Sequence, residues 1–175
     1  MPFGSGRIER MDAVLHNPTW LQRSVLRLAA TRPGSWILSR TLVRLDKLWL
    51  RLTRGRRTLA TAVTGLPVVQ LTTRGAVSGR PRVCPLIPLS DGEKIVVFAT
   101  NFGSKRHPAW YRNLCADPEV EVAYAGISAG YRARPAGEDE REEYWRQALV
   151  IYPGYREYKR RAGERRIPIV VLEPK

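Results

Sequence analysis

Apolar residues near the start of the chain recur at the spacing of a helix face. Between Ser35, which can cap a helix, and Gly55, which can end one, large apolar residues stand at i, i+4, i+7, i+11 and i+14. These residues are Leu38, Leu42, Leu45, Trp49 and Leu52. They predict an amphipathic helix over residues 35–54. A shorter helix is expected before it, from Pro18 to about residue 32, where Pro33 stops it.

From Pro67 onward the apolar pattern becomes that of strands. The segments PVVQLTT, PRVCPLIPLS and EKIVVFAT predict a three-stranded meander, with Asp91-Gly92 as its second turn. Pro85 and Pro88 restrict the middle strand to a sheet edge or a bulge, because proline cannot donate a ladder hydrogen bond. Further strands are expected near 119–125, near 129–134 and in the final IPIVVLE.

Two short helices complete this part of the pattern. One is expected to begin at Pro108 and to end at Asp117-Pro118, and the other covers residues 138–150 with acids in its first turn. Strands with so few helices favour an antiparallel barrel with helical additions, in the α+β class. We therefore expect a barrel domain over residues 58–175 and a basic helical extension over residues 1–57.

The charge of the chain is strongly basic and unevenly distributed. The net charge is +14, and residues 20–57 hold ten Lys or Arg with one acid. Five of these cations lie about 200° around the predicted helix from its apolar stripe, namely Arg40, Arg44, Lys47, Arg51 and Arg54. Such a helix suits the surface of an anionic membrane, and docking of the stripe on the barrel or on another subunit is the alternative. Nucleic-acid binding is disfavoured, since the charge concentrates on one helix and no reader motif is present.

Several classes of chemistry lack their residues in this sequence. Cys84 and Cys115 have neither a CxxC spacing nor a histidine cluster beside them, so we expect no disulfide and no metal site. No triad pattern, zinc-protease motif, P-loop or GxGxxG is found. The first residues lack the apolar stretch of a signal peptide, and no run is long enough to span a membrane, so a cytoplasmic location is expected.

Two loops that follow predicted strands combine glycine, hydroxyls and cations. They are TTRGAVSGR at 72–80 and NFGSKRHP at 101–108. Backbone N–H groups and cations in such loops can approach a phosphate closely, and the second loop leads into a helix N-terminus. The plain alternative is a hairpin turn with solvated cations.

Three ordered motifs resemble those of the deazaflavin-dependent nitroreductase family. They are TTxGxxSGxPRxxPL, PxWYxNLxAxPxV and YPxYxxY, and the resemblance covers residues 66–174. It implies a split β-barrel like those that bind flavin mononucleotide, and coenzyme F420 as the cofactor. This cofactor is a two-electron hydride carrier with a phosphodiester and an oligoglutamate tail. The implied activity is hydride transfer to a quinone-like, nitroaromatic or enone acceptor.

The resemblance also assigns residues to the cofactor. The phosphate and tail would lie near Ala76, Val77, Ser78 and Arg82. The deazaflavin ring would contact Val83, Cys84, Pro85, Leu86, Ile87, Phe98, Ala99, Thr100, Asn101, Ala109, Trp110, Tyr111, Arg112 and Asn113. For Arg82 the alternative is a surface ion pair, and Trp110 could equally plug the barrel.

The sequence departs from the common family pattern at three positions. Residues 76, 77 and 101 are Ala, Val and Asn where basic residues are frequent in the family. The cations that could compensate are Arg74, Arg80, Lys105 and Arg106. The sequence leaves open which of them does.

Three tyrosines at three-residue spacing, Tyr152, Tyr155 and Tyr158, predict a ridge of aromatic rings. The resemblance places them, with Ile87, at the acceptor pocket, and ordinary core packing is the alternative. Tyr155 or Thr100 would hydrogen-bond the developing negative oxygen, while solvent completes protonation. The nearest alternative function is a flavin mononucleotide or haem binder on the same barrel, and the oligomeric state is left open.

Overall fold

The computed structural model describes residues 65–175 and Thr31. The helices predicted before residue 55, and the basic extension over residues 1–57, fall outside these residues apart from Thr31, so they stay predictions. No helix in the described part is long and apolar enough to cross a membrane. The predicted barrel is the part whose structure can be compared with the sequence.

Seven antiparallel strands form one sheet in the described residues. They are β1 (Val69–Arg74), β2 (Pro81–Leu86), β3 (Leu89–Asp91), β4 (Lys94–Phe98), β5 (Glu119–Tyr124), β6 (Ile127–Pro135) and β7 (Ile169–Pro174). Their order across the sheet is β2-β1-β5-β6-β7-β4-β3. The helices of this part are α1 (Ala109–Ala116), α2 (Glu138–Ile151) and α3 (Tyr155–Ala162), and a 3-10 turn covers Asn101–Gly103.

The sheet curls around one apolar cluster, the inner core. Val69 of β1 and Val97 of β4 are both buried in it, although three other strands separate β1 from β4 in the sheet. Trp110 and Leu114 of α1 also belong to this core. The predicted split barrel of the α+β class is confirmed.

Strands β4 and β7 are buried on both faces because successive strand residues point to opposite sides of a sheet. Val97 and Leu172 lie in the inner core, whereas Val96 and Val171 lie in a second cluster, the outer core. Tyrosines of α2 and α3 cover this outer core. Burial on both faces explains why both strands are continuously apolar in sequence rather than alternating.

The predicted meander is wrong in its topology. The run PRVCPLIPLS forms two strands, β2 and β3, which lie at opposite ends of the sheet. Its first half pairs with β1, with Cys84 opposite Leu71, and its second half pairs with β4, with Ser90 opposite Ile95. Pro88 stands between them, where its missing N–H interrupts any continuous ladder. The edge placement predicted from the prolines is correct, since both strands are sheet edges.

The predicted helices and turns of the barrel domain are confirmed. Helix α1 follows Pro108 and ends before Asp117, and α2 carries its acids in the first turn. The carboxylate of Glu140 accepts a hydrogen bond from the backbone N–H of Gly137 at 2.8 Å, which satisfies a free donor at the helix start. Gly92, at the predicted turn, has a φ of 60°.

Candidate functional site

The loop between β1 and β2 presents its central residues to solvent. The N–H of Gly75 donates to the carbonyl of Arg80 at 2.9 Å, and the N–H of Gly79 donates to the carbonyl of Gly75 at 2.8 Å. Gly79 has a φ of 65°, a conformation that glycine adopts without strain. These bonds close the loop on itself and leave Val77 completely exposed at its tip. Ala76 and Ser78 are also exposed.

Asn113 of α1 fastens this loop to the barrel. Its Oδ1 accepts a hydrogen bond from the N–H of Ala76 at 3.1 Å, and its Nδ2 donates to Oγ1 of Thr73 at 3.0 Å. The Thr73 hydroxyl donates in turn to the carbonyl of Arg82 at 3.4 Å. Asn113 and Thr73 are both buried. The Asn113 amide therefore holds both ends of the loop, and it was predicted as a ring contact without this anchoring role.

The cations around the loop differ in whether they are neutralised. Arg74 lies 3.3 Å from the carboxylate of Asp117, so its charge is already paired. Arg80 and Arg82 are exposed and have no ion pair within the described residues. The same is true of Lys105 and Arg106 in the second loop. Among the four cations that could replace the missing basic residues, Arg74 is therefore the only one that forms an ion pair within the described residues.

An apolar wall is part of the inner core, and its residues follow the first loop or flank the second loop in the chain. Cys84 and Leu86 of β2 pack against the cluster that contains Ala99 and Trp110, together with the half-buried Tyr111. Burial raises the pKa of the Cys84 thiol to about 11, so Cys84 stays protonated at neutral pH. The structure therefore brings together predicted ring contacts from β2, from the end of β4 and from α1.

Other predicted site residues are spread around this wall. Pro85 and Ile87 are half-buried, whereas Val83, Ala109 and Arg112 are exposed. Phe98 lies apart, because its ring is in the outer core, 6.0 Å from the Trp145 ring and 5.5 Å from the Tyr155 ring. Strand alternation places Phe98 on the opposite face from Val97, which explains the separation.

The second loop has a backbone conformation that ordinary side chains disfavour. Asn101, Phe102 and Gly103 have φ values of 47°, 54° and 78°. For non-glycine residues such values cost on the order of 1–3 kcal/mol each, which the surrounding structure must offset. The Asn101 side-chain amide donates to the carbonyl of Arg106 at 2.9 Å and closes the loop. Asn101 therefore shapes this loop, at a position where the family often has a cation.

Thr100 precedes these residues and is buried. Its N–H donates to the carbonyl of Phe98 at 2.8 Å, and its carbonyl accepts a hydrogen bond from Nη2 of Arg165 at 2.7 Å. Its hydroxyl has no hydrogen-bond partner within the described residues. The geometry thus leaves the hydroxyl as the group of Thr100 that could meet a bound molecule.

Arg165 was not predicted as a site residue. It follows the short helix α3 in the chain, within a run of charged residues that carries no motif. The anchoring role of Thr73 was likewise missed, although the residue belongs to the first loop and to the first motif. The functional signal in both cases is tertiary hydrogen bonding, which spacing along the chain cannot show.

The tyrosines predicted to form a ridge are all buried in the outer core. Their ring centroids lie 5.2 Å apart for Tyr152–Tyr155, 5.8 Å for Tyr152–Tyr158 and 6.0 Å for Tyr155–Tyr158. Burial raises the pKa of each phenol, so all three are neutral at physiological pH. The Tyr158 ring also packs edge-on against the Phe102 ring of the second loop, with the ring centroids 5.8 Å apart. This packing matches the core alternative, and the acceptor role stays a prediction.

Comparison with known proteins gives a consistent set of matches. Residues 42–174 match the family described as F420H(2)-dependent quinone reductase. The chain is 32% identical over 136 residues to the F420H(2)-dependent quinone reductase Rv1261c of Mycobacterium tuberculosis, covering 75% of this chain and 89% of that protein. A solved structure titled F420-H2 dependent reductase (FDR-A) is 36% identical and covers 61% of this chain and 94% of that chain, with a TM-score of 0.57.

A further solved structure, described as a domain-swapped dimer, is 32% identical with a TM-score of 0.59. It covers 81% of this chain and 99% of that chain. Together these matches confirm the resemblance inferred from the three motifs. The description of the family also agrees with the predicted enzyme class and cofactor.

Proposed function

The chain belongs to the F420H(2)-dependent quinone reductase family, and we propose from this premise that it reduces a quinone with hydride from reduced F420. Nitroaromatic compounds and enones are further electron-poor acceptors of the same reaction class. The observation that carries the proposal is that two loops, each with cations that have no ion pair within the described residues, are flanked by residues that meet in one apolar wall. Such a surface suits a flat ring joined to an anionic tail.

The residues of the first loop fit the anionic part of F420. Arg80 and Arg82 are exposed and available for charge-assisted hydrogen bonds. The N–H groups of Val77 and Ser78 have no partner within the described residues, so they can face a phosphate oxygen. Neither Ala76 nor Val77 offers a cation, and the guanidinium groups on the β2 side of the loop would supply the charge instead.

The apolar wall fits the ring of the cofactor. When bound, reduced F420 would supply the hydride, which is chemistry that no side chain here could perform. The chain contributes position and water exclusion, through Leu86, Ala99 and Trp110 of the inner core. In this proposal the hydroxyl of Thr100 donates a hydrogen bond to the oxygen that becomes negative, and solvent provides the proton that completes the quinol.

Binding titrations test the proposal directly. The protein should bind F420 in the micromolar range or tighter, and Arg82→Ala should weaken binding by about one to two powers of ten, since a charge-assisted bond contributes roughly 1.5–3 kcal/mol. Arg74→Ala is the matched control, because the Arg74 charge is already paired with Asp117, and it should bind nearly as well as the wild type. Tight binding of flavin mononucleotide or haem with no binding of F420 would refute the proposal. A panel of quinones, nitroaromatics and enones then ranks the acceptors.

Attachment to an anionic membrane through residues 35–54 is also part of the proposal. It rests on the sequence pattern, and it would bring the site close to lipid-soluble quinones. Five cations near such a surface would contribute about 1 kcal/mol each, in a salt-sensitive manner. Sedimentation with anionic liposomes at low and high salt, with and without residues 1–57, measures it. Equal pelleting of both proteins would show that this segment does not attach the enzyme.

A further inference from the structure

The guanidinium group of Arg165 makes four contacts to the segment that follows strand β4, which comprises residues 99–108 and includes the second loop. Arg165 donates from Nη1 to the carbonyl of Ala99 at 3.1 Å, from Nη2 to that of Thr100 at 2.7 Å and from Nε to that of Ser104 at 2.8 Å. Its Nη1 also lies 3.3 Å from Nδ1 of His107. An arginine has donors only, so His107 must accept at Nδ1 and carry its proton on Nε2.

The loop held in this way does not have a relaxed backbone. Asn101 and Phe102 both have positive φ, and neither is glycine. Helix α3 presses on the same loop, because a Cβ at Gly103 would lie 2.7 Å from Cβ of Arg161 and 2.8 Å from the carbonyl oxygen of Tyr158. The loop is thus packed against a helix and fastened by the guanidinium, and both constraints come from residues 155–165.

We propose that Arg165 is a positioning residue for the cofactor-binding loop, acting through the carbonyls of Ala99, Thr100 and Ser104. Its bonds occupy the carbonyl of Thr100 and fix the direction of the backbone that carries the Thr100 hydroxyl. Ala99, which is part of the apolar wall, is fixed by the same guanidinium. This inference rests on the proposed function, since it concerns the loop expected to contact the ring of F420.

The geometry of the guanidinium is what the loop requires. Three carbonyls at different points of the loop are reached by three nitrogens of one planar group, which a single ammonium group cannot reproduce. Lysine at this position keeps the positive charge but has a single nitrogen, so it cannot donate to all three carbonyls in the same way. Arg165 is half-buried, and burial lowers its pKa from its ordinary value. It is therefore engaged with the loop and is not a free anion-binding cation.

The test measures F420 affinity, melting temperature and kinetics for Arg165→Ala and Arg165→Lys. Arg166→Ala is the matched control, because Arg166 is the exposed neighbour and pairs with Glu138. Arg165→Ala should raise the dissociation constant for F420 by roughly tenfold or more, and Arg165→Lys should bind more weakly than wild type. Millimolar guanidinium ion should partly restore binding to the alanine variant, whereas methylammonium ion should not. Arg166→Ala should bind as the wild type does.

Nuclear magnetic resonance of the His107 ring provides a readout independent of turnover. The Nδ1 resonance of His107 should shift in Arg165→Ala, because that nitrogen loses its hydrogen-bond donor, and it should stay at the wild-type position in Arg166→Ala. Unchanged F420 affinity in both Arg165 variants would overturn the inference while leaving the proposed function intact. No F420 binding by the wild type would instead refute the proposed function. If Arg165→Ala does not fold, Arg165→Lys alone tests the inference. Wild-type F420 affinity in Arg165→Lys would then overturn it.

Discussion

Replacing Asn113 with leucine tests how much the first loop depends on its buried anchor. The change keeps the approximate volume of the side chain and removes two hydrogen bonds, from the N–H of Ala76 and to the hydroxyl of Thr73. Ala76 is exposed, so its N–H can turn to water, but Thr73 is 1% exposed and its oxygen loses its donor in a buried place. At about 0.5–1.5 kcal/mol for each bond, we expect a loss of roughly 1–3 kcal/mol in the free energy of unfolding.

Asn113→Leu should also make the first loop more mobile, in addition to lowering the stability of the barrel. Within the described residues the N–H groups of Val77 and Ser78 make no hydrogen bond, so a loop freed from Asn113 must be ordered again when an anion binds. Each 1.4 kcal/mol of that cost raises the dissociation constant about tenfold. We therefore expect Asn113→Leu to weaken F420 binding by about three- to thirtyfold, measured by fluorescence titration beside chemical denaturation.

The Thr73 position offers a graded control for the same argument. Thr73→Ser keeps the hydroxyl, so it should bind F420 nearly as the wild type does. Thr73→Val removes it, breaks the bonds to Asn113 and to the carbonyl of Arg82, and should fall between wild type and Asn113→Leu. Lost stability with unchanged F420 affinity in Asn113→Leu and Thr73→Val would show that the conformation of the loop does not matter for binding, and would refute the anchoring role.

Three further changes test other parts of the structure. Tyr155→Phe should lower turnover with F420 affinity and melting temperature near those of the wild type, whereas a large drop in melting temperature with normal turnover per folded molecule would assign Tyr155 to the core alone. Gly103→Ala should impair folding or F420 binding, since its Cβ would lie 2.8 Å from the Tyr158 carbonyl oxygen at a φ of 78°; wild-type behaviour in a melt and a titration would contradict this. The ion pair with Arg134 lowers the pKa of Glu140 from 4.5 to about 2. The pair therefore stabilises the folded state fully above pH 4.5, and this contribution is lost as the pH falls toward 2. Glu140→Gln should flatten acid denaturation curves over that range, and an unchanged curve would show that the pair contributes little.

Local patterns were sufficient for most elements of the barrel but not for their partners. The run at β4 and the Asp91-Gly92 turn predicted a hairpin, and the structure has that hairpin. The error came at Pro88, where the sequence continues in strand-like residues while the chain passes from one edge of the sheet to the other. Period and propensity describe single strands, whereas pairing across a curled sheet depends on contacts between distant segments.

The same limit applies to the site. The glycine, hydroxyl and cation pattern located both loops, and the motifs identified the family. The sequence does not show which cations lack an ion pair, because pairing depends on the fold. Arg74, for example, is paired only because Asp117 lies beside it in the structure. Phe98 shows the converse case, since it stands next to Ala99 in the chain while its side chain lies on the other face of the sheet.

Both loops depend on side chains that arrive from later segments of the chain. The first loop is closed by its own backbone hydrogen bonds, and Asn113 of α1 fastens it to the barrel. The second loop has a strained backbone, and Arg165 supplies the restraint from beyond α3. A reductase that contributes position, and leaves the redox chemistry to its cofactor, gains rate only if its contacts are already in place before binding. Anchors such as Asn113 and Arg165, which hydrogen-bond the two loops, meet that requirement without adding a catalytic side chain.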